Sequence, residues 1–296
     1  MEARNNPLFS RSERSSEEIV YDDDPGTGEM SCEIVDDDHD AELQTNHQLL
    51  PTPQPGDPAP GIQVVRQAST GLGYLLHLPK AYDTIGEAWP LLIFLHGAGE
   101  SAPPYNPASL VSLGLSGCPT HQPAEMEDRF VVASPQTGEG WSGKNAHAAV
   151  LDLLDDLLRD HNLDCCRIYL TGVSMGGSGV WSLATEHPSR FTAVAPVCGF
   201  STPRIVMRIA EGALKTVPVW NFHGANDEVV PPIGSNRLVD ACKKAGVDVQ
   251  YTLYAHSPPP PGYPSYRGHA SWMQAYSDPE LWAWLLSKTK NTTTSQ

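Results

Sequence analysis

The chain has 296 residues, 40% of them hydrophobic, and a formal net charge of −16 from 35 acidic and 19 basic residues. Residues 1–60 contain 15 Asp and Glu against 3 Lys and Arg, a net of −12, which leaves 20 against 16, a net of −4, for the remainder. With no basic stripe, the composition argues against a nucleic-acid partner and against an anionic membrane surface.

The N-terminal segment is polar and acidic. Residues 1–58, which include the acidic stretch Asp36–Asp40, hold too few apolar side chains to offset the entropy lost on ordering. We therefore predict a disordered tail over 1–58, an ordered domain over 59–288 and a flexible tail over 289–296. Ser15–Glu18 is compatible with an acidophilic kinase site, so a kinase or another protein is the expected partner of the acidic tail.

The sequence carries no pattern typical of export or of a metal centre. The stretch Met1–Asn6 lacks the apolar core of a secretory signal, and no apolar run reaches the length of a membrane span. The six cysteines show neither a CxxC pair nor zinc-site spacing, and the vicinal pair Cys165–Cys166 is more typical of two small buried side chains. We expect a cytoplasmic protein with free thiols, no stable membrane insertion, no metal and no organic cofactor.

Beyond Gly61 the sequence alternates between strand-like and helix-like segments. A hairpin of Ile62–Ala68 and Gly73–Leu78 is followed by apolar runs typical of buried parallel strands. The further predicted strands are Pro90–Leu95, Phe130–Ser134, Ile168–Thr171, Ala193–Val197, Val217–Phe222 and Val249–Tyr254. The predicted helices are 146–160, Ser178–Glu186, Ile205–Leu214, Gly234–Ala245 and Pro279–Ser287. This alternation predicts an α/β fold, a mostly parallel central sheet with helices on both faces and a site at the carboxyl ends of the strands.

One turn between a predicted strand and a predicted helix has a distinctive pattern, Gly172-Val173-Ser174-Met175-Gly176-Gly177. Gly-x-Ser-x-Gly in this setting is typical of a nucleophile elbow, in which a strained turn lifts a serine hydroxyl above the sheet. The glycines on either side of the serine allow the strand and the helix to approach closely, and the helix N-terminus favours negative charge. We predict that Ser174 is a nucleophile.

An acid and a histidine follow this serine in the order of an α/β-hydrolase triad. Asp227 lies in the turn after a predicted strand, where its carboxylate would accept an imidazole N–H; Glu228 is the alternative, and Asn226 cannot carry the charge. His269, in a loop beyond the last strand, is the preferred base over His256, which lies directly at the end of that strand.

A further histidine, His223, ends the strand before the acid. Because it precedes the acid in the chain, it falls outside the expected triad order. We predict a structural role for it, as a neutral imidazole hydrogen-bonded to loop backbone.

An oxyanion hole is predicted where the central apolar strand ends in His96-Gly97-Ala98-Gly99. One donor should be the amide of Met175, the residue after the nucleophile. The second should be the amide of Ala98, with that of Gly97 as the alternative. A plain glycine-rich loop is the competing interpretation of these residues.

Three aromatic residues are candidates for contact with a substrate. Trp141 follows a predicted strand, and ordinary core packing is the alternative for its ring. Tyr263 and Tyr266 belong to a proline-rich insertion, Ser257–Tyr266, which we expect to form a stiff arm beside the site. An inert surface loop is the alternative for the insertion.

The motifs resemble the α/β-hydrolase superfamily, and within it the bacterial-type "predicted peptidase" and esterase group. That group adjoins the phospholipase/carboxylesterase, dienelactone-hydrolase-like and polyhydroxybutyrate-depolymerase/feruloyl-esterase families. The resemblance implies a Ser174, Asp227 and His269 triad, in agreement with the residues themselves, and it leaves the substrate open. The proline-rich insertion before His269 departs from the short link usual in this group. The resemblance lies in Pro90–Glu100, Arg167–Gly177, Phe222–Asp227 and Gly268–Trp272.

The expected function is therefore hydrolysis of a small-molecule carboxylic ester through an acyl-enzyme, without a metal or organic cofactor. A peptidase or an acyl-thioesterase with the same triad is one alternative. A non-enzymatic binding module that keeps the fold is another.

Overall fold

Eight strands form a single sheet in the part of the chain that the structure describes. The computed structural model describes residues 63–82, 86–101 and 129–290, all within one structural unit. The strands are β1 (Gln63–Gln67), β2 (Gly73–His77), β3 (Trp89–Leu95), β4 (Val131–Pro135), β5 (Leu163–Val173), β6 (Ala193–Val197), β7 (Val219–Gly224) and β8 (Val249–Tyr254). The helices are α1 (Lys144–Asp160), α2 (Met175–Glu186), α3 (Pro203–Ala210), α4 (Ile233–Ala245), α5 (Trp272–Ala275) and α6 (Pro279–Leu286). The predicted tail over 1–58 and residues 291–296 lie outside the described residues.

The strand order across the sheet is β1-β2-β4-β3-β5-β6-β7-β8. β1 pairs antiparallel with β2, as the predicted hairpin requires, and β2 also pairs antiparallel with β4. All other pairs, from β4 to β8, are parallel. The carboxyl ends of β3, β5, β6 and β7 therefore lie side by side along one edge, and the loops that follow them can converge there.

The central strand β3 is buried on both faces because its residues are apolar without interruption. Leu91, Ile93 and Leu95 point into one hydrophobic layer, which also contains apolar side chains of α1, α2, α3 and α4. Leu92 and Phe94 point into the opposite layer, which α6 covers. Complete burial of a leucine or phenylalanine contributes about 1.5–3 kcal/mol, so both layers hold the sheet that carries the site. The mainly parallel sheet with helices on both faces is the predicted architecture.

The largest departures from the sequence-based boundaries are at β5 and α3. β5 begins at Leu163, five residues before the predicted start, because Leu163 pairs with Trp89 ahead of a register shift in the ladder. Helix α3 begins at Pro203, after Thr202, whose hydroxyl oxygen accepts the amide of Ile205 at 3.3 Å. This N-cap followed by proline is a recognised start signal.

Among the described residues, none of the helices has the length and the apolar composition needed to cross a bilayer.

Candidate active site

Ser174 lies at the sharp turn between β5 and α2. Its backbone has φ +54° and ψ −114°, a conformation that residues other than glycine rarely adopt. The strain, about 1–3 kcal/mol, is offset by two backbone hydrogen bonds. The Ser174 amide donates to the carbonyl of Val197 at 3.0 Å, and its carbonyl accepts the amide of Ser178 at 3.0 Å. The hydroxyl is thereby held above the edge of the sheet.

The glycines around this turn are required by close backbone contacts. A Cβ added to Gly176 would lie 1.9 Å from the carbonyl oxygen of Leu95, and one added to Gly172 would lie 2.7 Å from the same atom. Both glycines therefore let β5 and α2 cross directly over the end of β3. The predicted Gly-x-Ser-x-Gly turn is present, and this contact gives its physical reason.

The predicted nucleophile, base and acid come together at the carboxyl edge of the sheet. His269 Nε2 lies 2.9 Å from the hydroxyl oxygen of Ser174. On the other side of the ring, His269 Nδ1 lies 2.8 Å from Asp227 Oδ2. With Nδ1 donating to the carboxylate, Nε2 is the acceptor that faces the serine hydroxyl, which is the tautomer that a general base needs.

The carboxylate of Asp227 is fully buried and accepts several hydrogen bonds. Its Oδ1 accepts the backbone amides of Val229 and Val230, each at 2.9 Å. Burial alone would raise the pKa of Asp227, but hydrogen bonds from His223, His269 and the Val230 amide lower it to about 2. The group is therefore charged at neutral pH.

The rival residues weighed from the sequence lie elsewhere. His256 is exposed, and Glu228 has a side chain 63% exposed that faces Arg267 at 4.0 Å. Asn226 has a structural contact that the sequence did not reveal. Its side-chain amide donates to the carbonyl of Ser257 at 3.1 Å and accepts the Ser257 amide at 2.8 Å. Asn226 thus ties the loop that carries the acid to the arm that leads to the base.

The two predicted oxyanion donors both begin helical segments. Ala98 is the first residue of a 3₁₀ turn, Ala98–Glu100, and Met175 is the first residue of α2. Amides at these positions have no acceptor within their own helix, so they are free to bind an anion. The Gly97 amide, the alternative, faces the carboxylate of Glu100, whose pKa is raised by burial although this amide acts to lower it. The geometry thus favours Ala98 over Gly97.

His96 fixes the loop of the predicted oxyanion hole. Its Nε2 accepts the Thr137 amide at 3.1 Å, so the hydrogen is on Nδ1, which donates to the carbonyl of Gly97 at 2.6 Å. Burial lowers the pKa of His96, which keeps the imidazole neutral. The Gly97 carbonyl is in this way held by the ring of the preceding residue.

Trp141 braces the same loop from the core. Only 2% of it is exposed, its Nε1 donates to the carbonyl of His96 at 3.0 Å, and its ring packs edge-on against the imidazole of that residue. This placement fits the packing alternative better than an open pocket wall. Tyr263 and Tyr266 are exposed, with ring centroids 5.4 Å apart on the proline-rich arm. Their contact with a substrate stays a prediction.

Cys198 lies immediately beneath the site and was not singled out from the sequence. It is fully buried and adopts φ +43°, the second strained residue at this edge of the sheet that is not a glycine. Burial, together with the nearby charge of Asp227, raises the pKa of the thiol, so it remains protonated. The thiol therefore adds no charge beside the carboxylate.

Two other clusters in the described residues contain metal-ligand types: His147 with Glu186 and His187, and Asp164 with Cys165 and Cys166. In the first cluster, Arg204 Nη2 lies 3.1 Å from Glu186 Oε1. Burial, together with the charges of Arg190 and Arg208, lowers the pKa of His187. In the second, the Asp164 carboxylate is paired with Arg167 at 2.5 Å. Neither cluster includes a residue of the site at the sheet edge.

Known proteins are similar to this chain in sequence and in fold. Residues 130–272 match the model of the dienelactone hydrolase family. The chain is 30% identical over 166 residues to a bifunctional acetylxylan esterase/xylanase of Neocallimastix patriciarum, covering 54% of this chain and 22% of that protein. It is 24% identical over 191 residues to poly(3-hydroxyalkanoate) depolymerase C of Paucimonas lemoignei, covering 51% of this chain and 44% of that protein. The chain thus spans less than half the length of these curated relatives.

Among solved structures, a thermostable esterase superposes with a TM-score of 0.61 and 30% identity, covering 77% of this chain and 63% of that one. A ferulic acid esterase superposes with a TM-score of 0.52 at 17% identity, covering 72% of this chain and 93% of that one, which bears on the fold alone. The strand order, the parallel pairing and these matches agree. The chain therefore has the α/β-hydrolase fold, and its residues 130–272, a little under half of the chain, are similar to the dienelactone hydrolase family.

Proposed function

We propose that this protein is a serine hydrolase that cleaves carboxylic esters through an acyl-enzyme. The observation that carries the proposal is the continuous set of contacts from the Ser174 hydroxyl through His269 to the buried Asp227 carboxylate, at 2.9 and 2.8 Å. In this arrangement the imidazole accepts the hydroxyl proton as the serine oxygen bonds to the ester carbonyl carbon. Asp227 stabilises the imidazolium that results.

The remaining steps use the two helical amides and water. The negative charge on the carbonyl oxygen is stabilised by the amides of Met175 and Ala98 while the tetrahedral intermediate exists. His269 returns the proton to the alcohol oxygen as the carbon–oxygen bond breaks, leaving the acyl group on Ser174. Water then donates a proton to His269 and bonds to the acyl carbon, and the serine oxygen leaves with that proton. The side chains and amides of the site suffice for each step.

Ester cleavage is favoured as the reaction because relatives with sequence similarity are named for it. They include the acetylxylan esterase/xylanase and the thermostable esterase, both 30% identical to this chain. A thioester or a peptide bond could be cleaved by the same atoms, and those substrates form the second candidate. A non-enzymatic binding module is the third.

Ser174→Ala tests the proposal directly. We expect the wild type to hydrolyse p-nitrophenyl acetate and to be labelled by a fluorophosphonate probe. The variant should lose both while keeping its circular dichroism spectrum and thermal midpoint. Unchanged turnover in the variant would overturn the assignment of the nucleophile, and an unlabelled, inactive wild type would favour the binding module.

The bond type is tested with one acyl group on three leaving groups. The p-nitrophenyl ester, the p-nitrophenyl thioester and the p-nitroanilide of the same acid differ only in the atom that departs. We expect kcat/KM to be highest for the oxygen ester, and a higher value for the thioester or the anilide would favour the second candidate. Aryl esters of increasing acyl length would then define the size of the acyl pocket.

A further inference from the structure

A second imidazole lies on the other side of the Asp227 carboxylate. The side chain of His223, at the end of β7, is fully buried. Its Nε2 lies 2.8 Å from the carbonyl oxygen of Val230 and 3.3 Å from Asp227 Oδ2. Its Nδ1 lies 2.8 Å from the hydroxyl oxygen of Ser235 in α4. Both ring nitrogens therefore have partners, and one of these partners is the carboxylate of the proposed triad.

These partners fix the tautomer of His223. A carbonyl oxygen can only accept, so the hydrogen is on Nε2, which donates to the Val230 carbonyl and lies 3.3 Å from the Asp227 carboxylate. Nδ1 is then an acceptor, and Ser235 supplies the hydroxyl hydrogen. The other acceptor near that hydroxyl, the carbonyl of Gly199, lies at the limit of hydrogen bonding, 3.5 Å away.

Asp227 Oδ2 thus accepts the N–H of His269 and lies 3.3 Å from Nε2 of His223, while Oδ1 accepts two backbone amides. We propose that His223 is a positioning residue for the ester-cleaving site: with its tautomer set by Ser235, it holds the Asp227 carboxylate in plane with His269 and withdraws part of the carboxylate charge. The proposal rests on the proposed function. It extends the loop-bracing role expected from the sequence, because it gives His223 an effect on the base.

The presence of His223 should affect how readily the base, His269, is protonated. A carboxylate that faces the N–H dipoles of two imidazoles attracts the His269 imidazolium less than a carboxylate that faces only one. Loss of His223 should therefore favour protonated His269 and move the acid limb of the kcat/KM profile to higher pH. The other ionisable groups in the described surroundings of Asp227 are the Cys198 thiol, which stays protonated, and the exposed pair Glu228 and Arg267 at the rim.

Two substitutions of His223 separate positioning from packing. In His223→Gln the side-chain amide can place an N–H near the position of Nε2, whereas His223→Leu fills similar space with no donor. We expect kcat/KM on p-nitrophenyl acetate to fall about tenfold in the leucine variant and to stay within about threefold of wild type in the glutamine variant. His256→Leu and His256→Gln are the matched controls, since His256 is exposed and lies outside the site. They should leave both rate and pH profile unchanged.

The pH profile decides between the two roles. The proposal is supported if the acid limb of the kcat/KM profile shifts to higher pH in His223→Leu and stays at the wild-type pH in His223→Gln. A leucine variant that loses stability in urea while its folded fraction keeps the wild-type kcat/KM and acid limb would overturn it. If the leucine variant does not fold, Ser235→Ala should give a smaller move in the same direction, and an unchanged profile there would equally overturn the proposal. An inactive wild type is the distinct outcome that contradicts the proposed function instead.

Discussion

Gly268 and Asn226, the residues before His269 and Asp227, touch through their backbones. A Cβ added to Gly268 would lie 2.1 Å from the carbonyl oxygen of Asn226, and Gly268 itself adopts φ +74°. The amide of Glu228 donates to the carbonyl of Arg267 at 3.0 Å across the same contact. The two loops that carry the base and the acid are thus joined by backbone, which sets the distance between the two side chains.

We expect Gly268→Ala to separate these loops and to lower kcat at least about 100-fold, because a shift of about 1 Å at the base disrupts the proton transfer. The measurement is kcat on p-nitrophenyl acetate together with the thermal midpoint. Gly262→Ala is the control, because Gly262 also has a positive φ, +80°, but an added Cβ there meets nothing within 4 Å. It carries the same backbone strain without the clash. Equal loss of kcat in both variants would contradict a role for the contact.

The backbone amide of Ala98, the second donor of the proposed oxyanion hole, can be removed by a substitution with proline. Proline at position 98 lacks the amide hydrogen, yet it suits the first position of a helical turn. The preceding residue, Gly97, is already extended with φ −80° and ψ −178°, as a residue before proline must be. We expect Ala98→Pro to lower kcat about 100- to 1,000-fold with little change in thermal midpoint. Gly99→Ala, where an added Cβ meets nothing within 4 Å, should keep its activity. Full activity of Ala98→Pro would shift the assignment to Gly97.

We expect both the activity and the stability of the protein to depend on the charge of Asp227. Replacement by asparagine removes the acceptor that fixes the His269 tautomer, and we expect kcat to fall about 1,000- to 10,000-fold. Glu228→Gln, which changes the neighbouring exposed carboxylate, should have little effect. Comparable losses in the two variants would contradict the assignment of the acid.

The stability effect of Asp227 has a defined direction with pH. Its pKa in the folded protein, about 2, is below the usual value of 3.8. A depressed pKa means that the charged group stabilises the fold fully above about pH 4 and that this contribution is lost as the pH falls toward 2. The difference in free energy of unfolding between wild type and Asp227→Asn should therefore shrink between pH 5 and pH 2.5 in urea titrations. A constant difference across that range would contradict the depressed pKa.

The sequence predicted what depends on local pattern. The run Pro90–Leu95 and the turn around Ser174 predicted a buried strand and an elbow, because apolar continuity and glycine spacing are readable without the fold. The contact between His223 and Asp227 Oδ2 was not predicted, although the two residues are only four positions apart, because it depends on how the loop after β7 folds back. The bonds between Asn226 and Ser257 join residues 31 positions apart, and no local pattern specifies such a distance.

Trp141 gives a test of packing against substrate contact. It and Trp181 are both almost fully buried, but Nε1 of Trp141 donates to the carbonyl of His96, whereas Nε1 of Trp181 has no partner among the described residues. Trp→Phe at either position removes similar volume, and we expect each variant to lose about 1–3 kcal/mol in urea unfolding.

Only Trp141→Phe also releases the loop that carries the Ala98 amide, so its kcat on p-nitrophenyl acetate should fall several-fold while that of Trp181→Phe stays near wild type. KM separates the two interpretations of Trp141. If Trp141 positions the loop through His96, its substitution changes kcat and leaves KM unchanged. If its ring lines the substrate pocket, its truncation raises KM. A raised KM with unchanged kcat in Trp141→Phe would therefore support the pocket wall and contradict the bracing role, because in that case the loop would keep its position without the indole N–H.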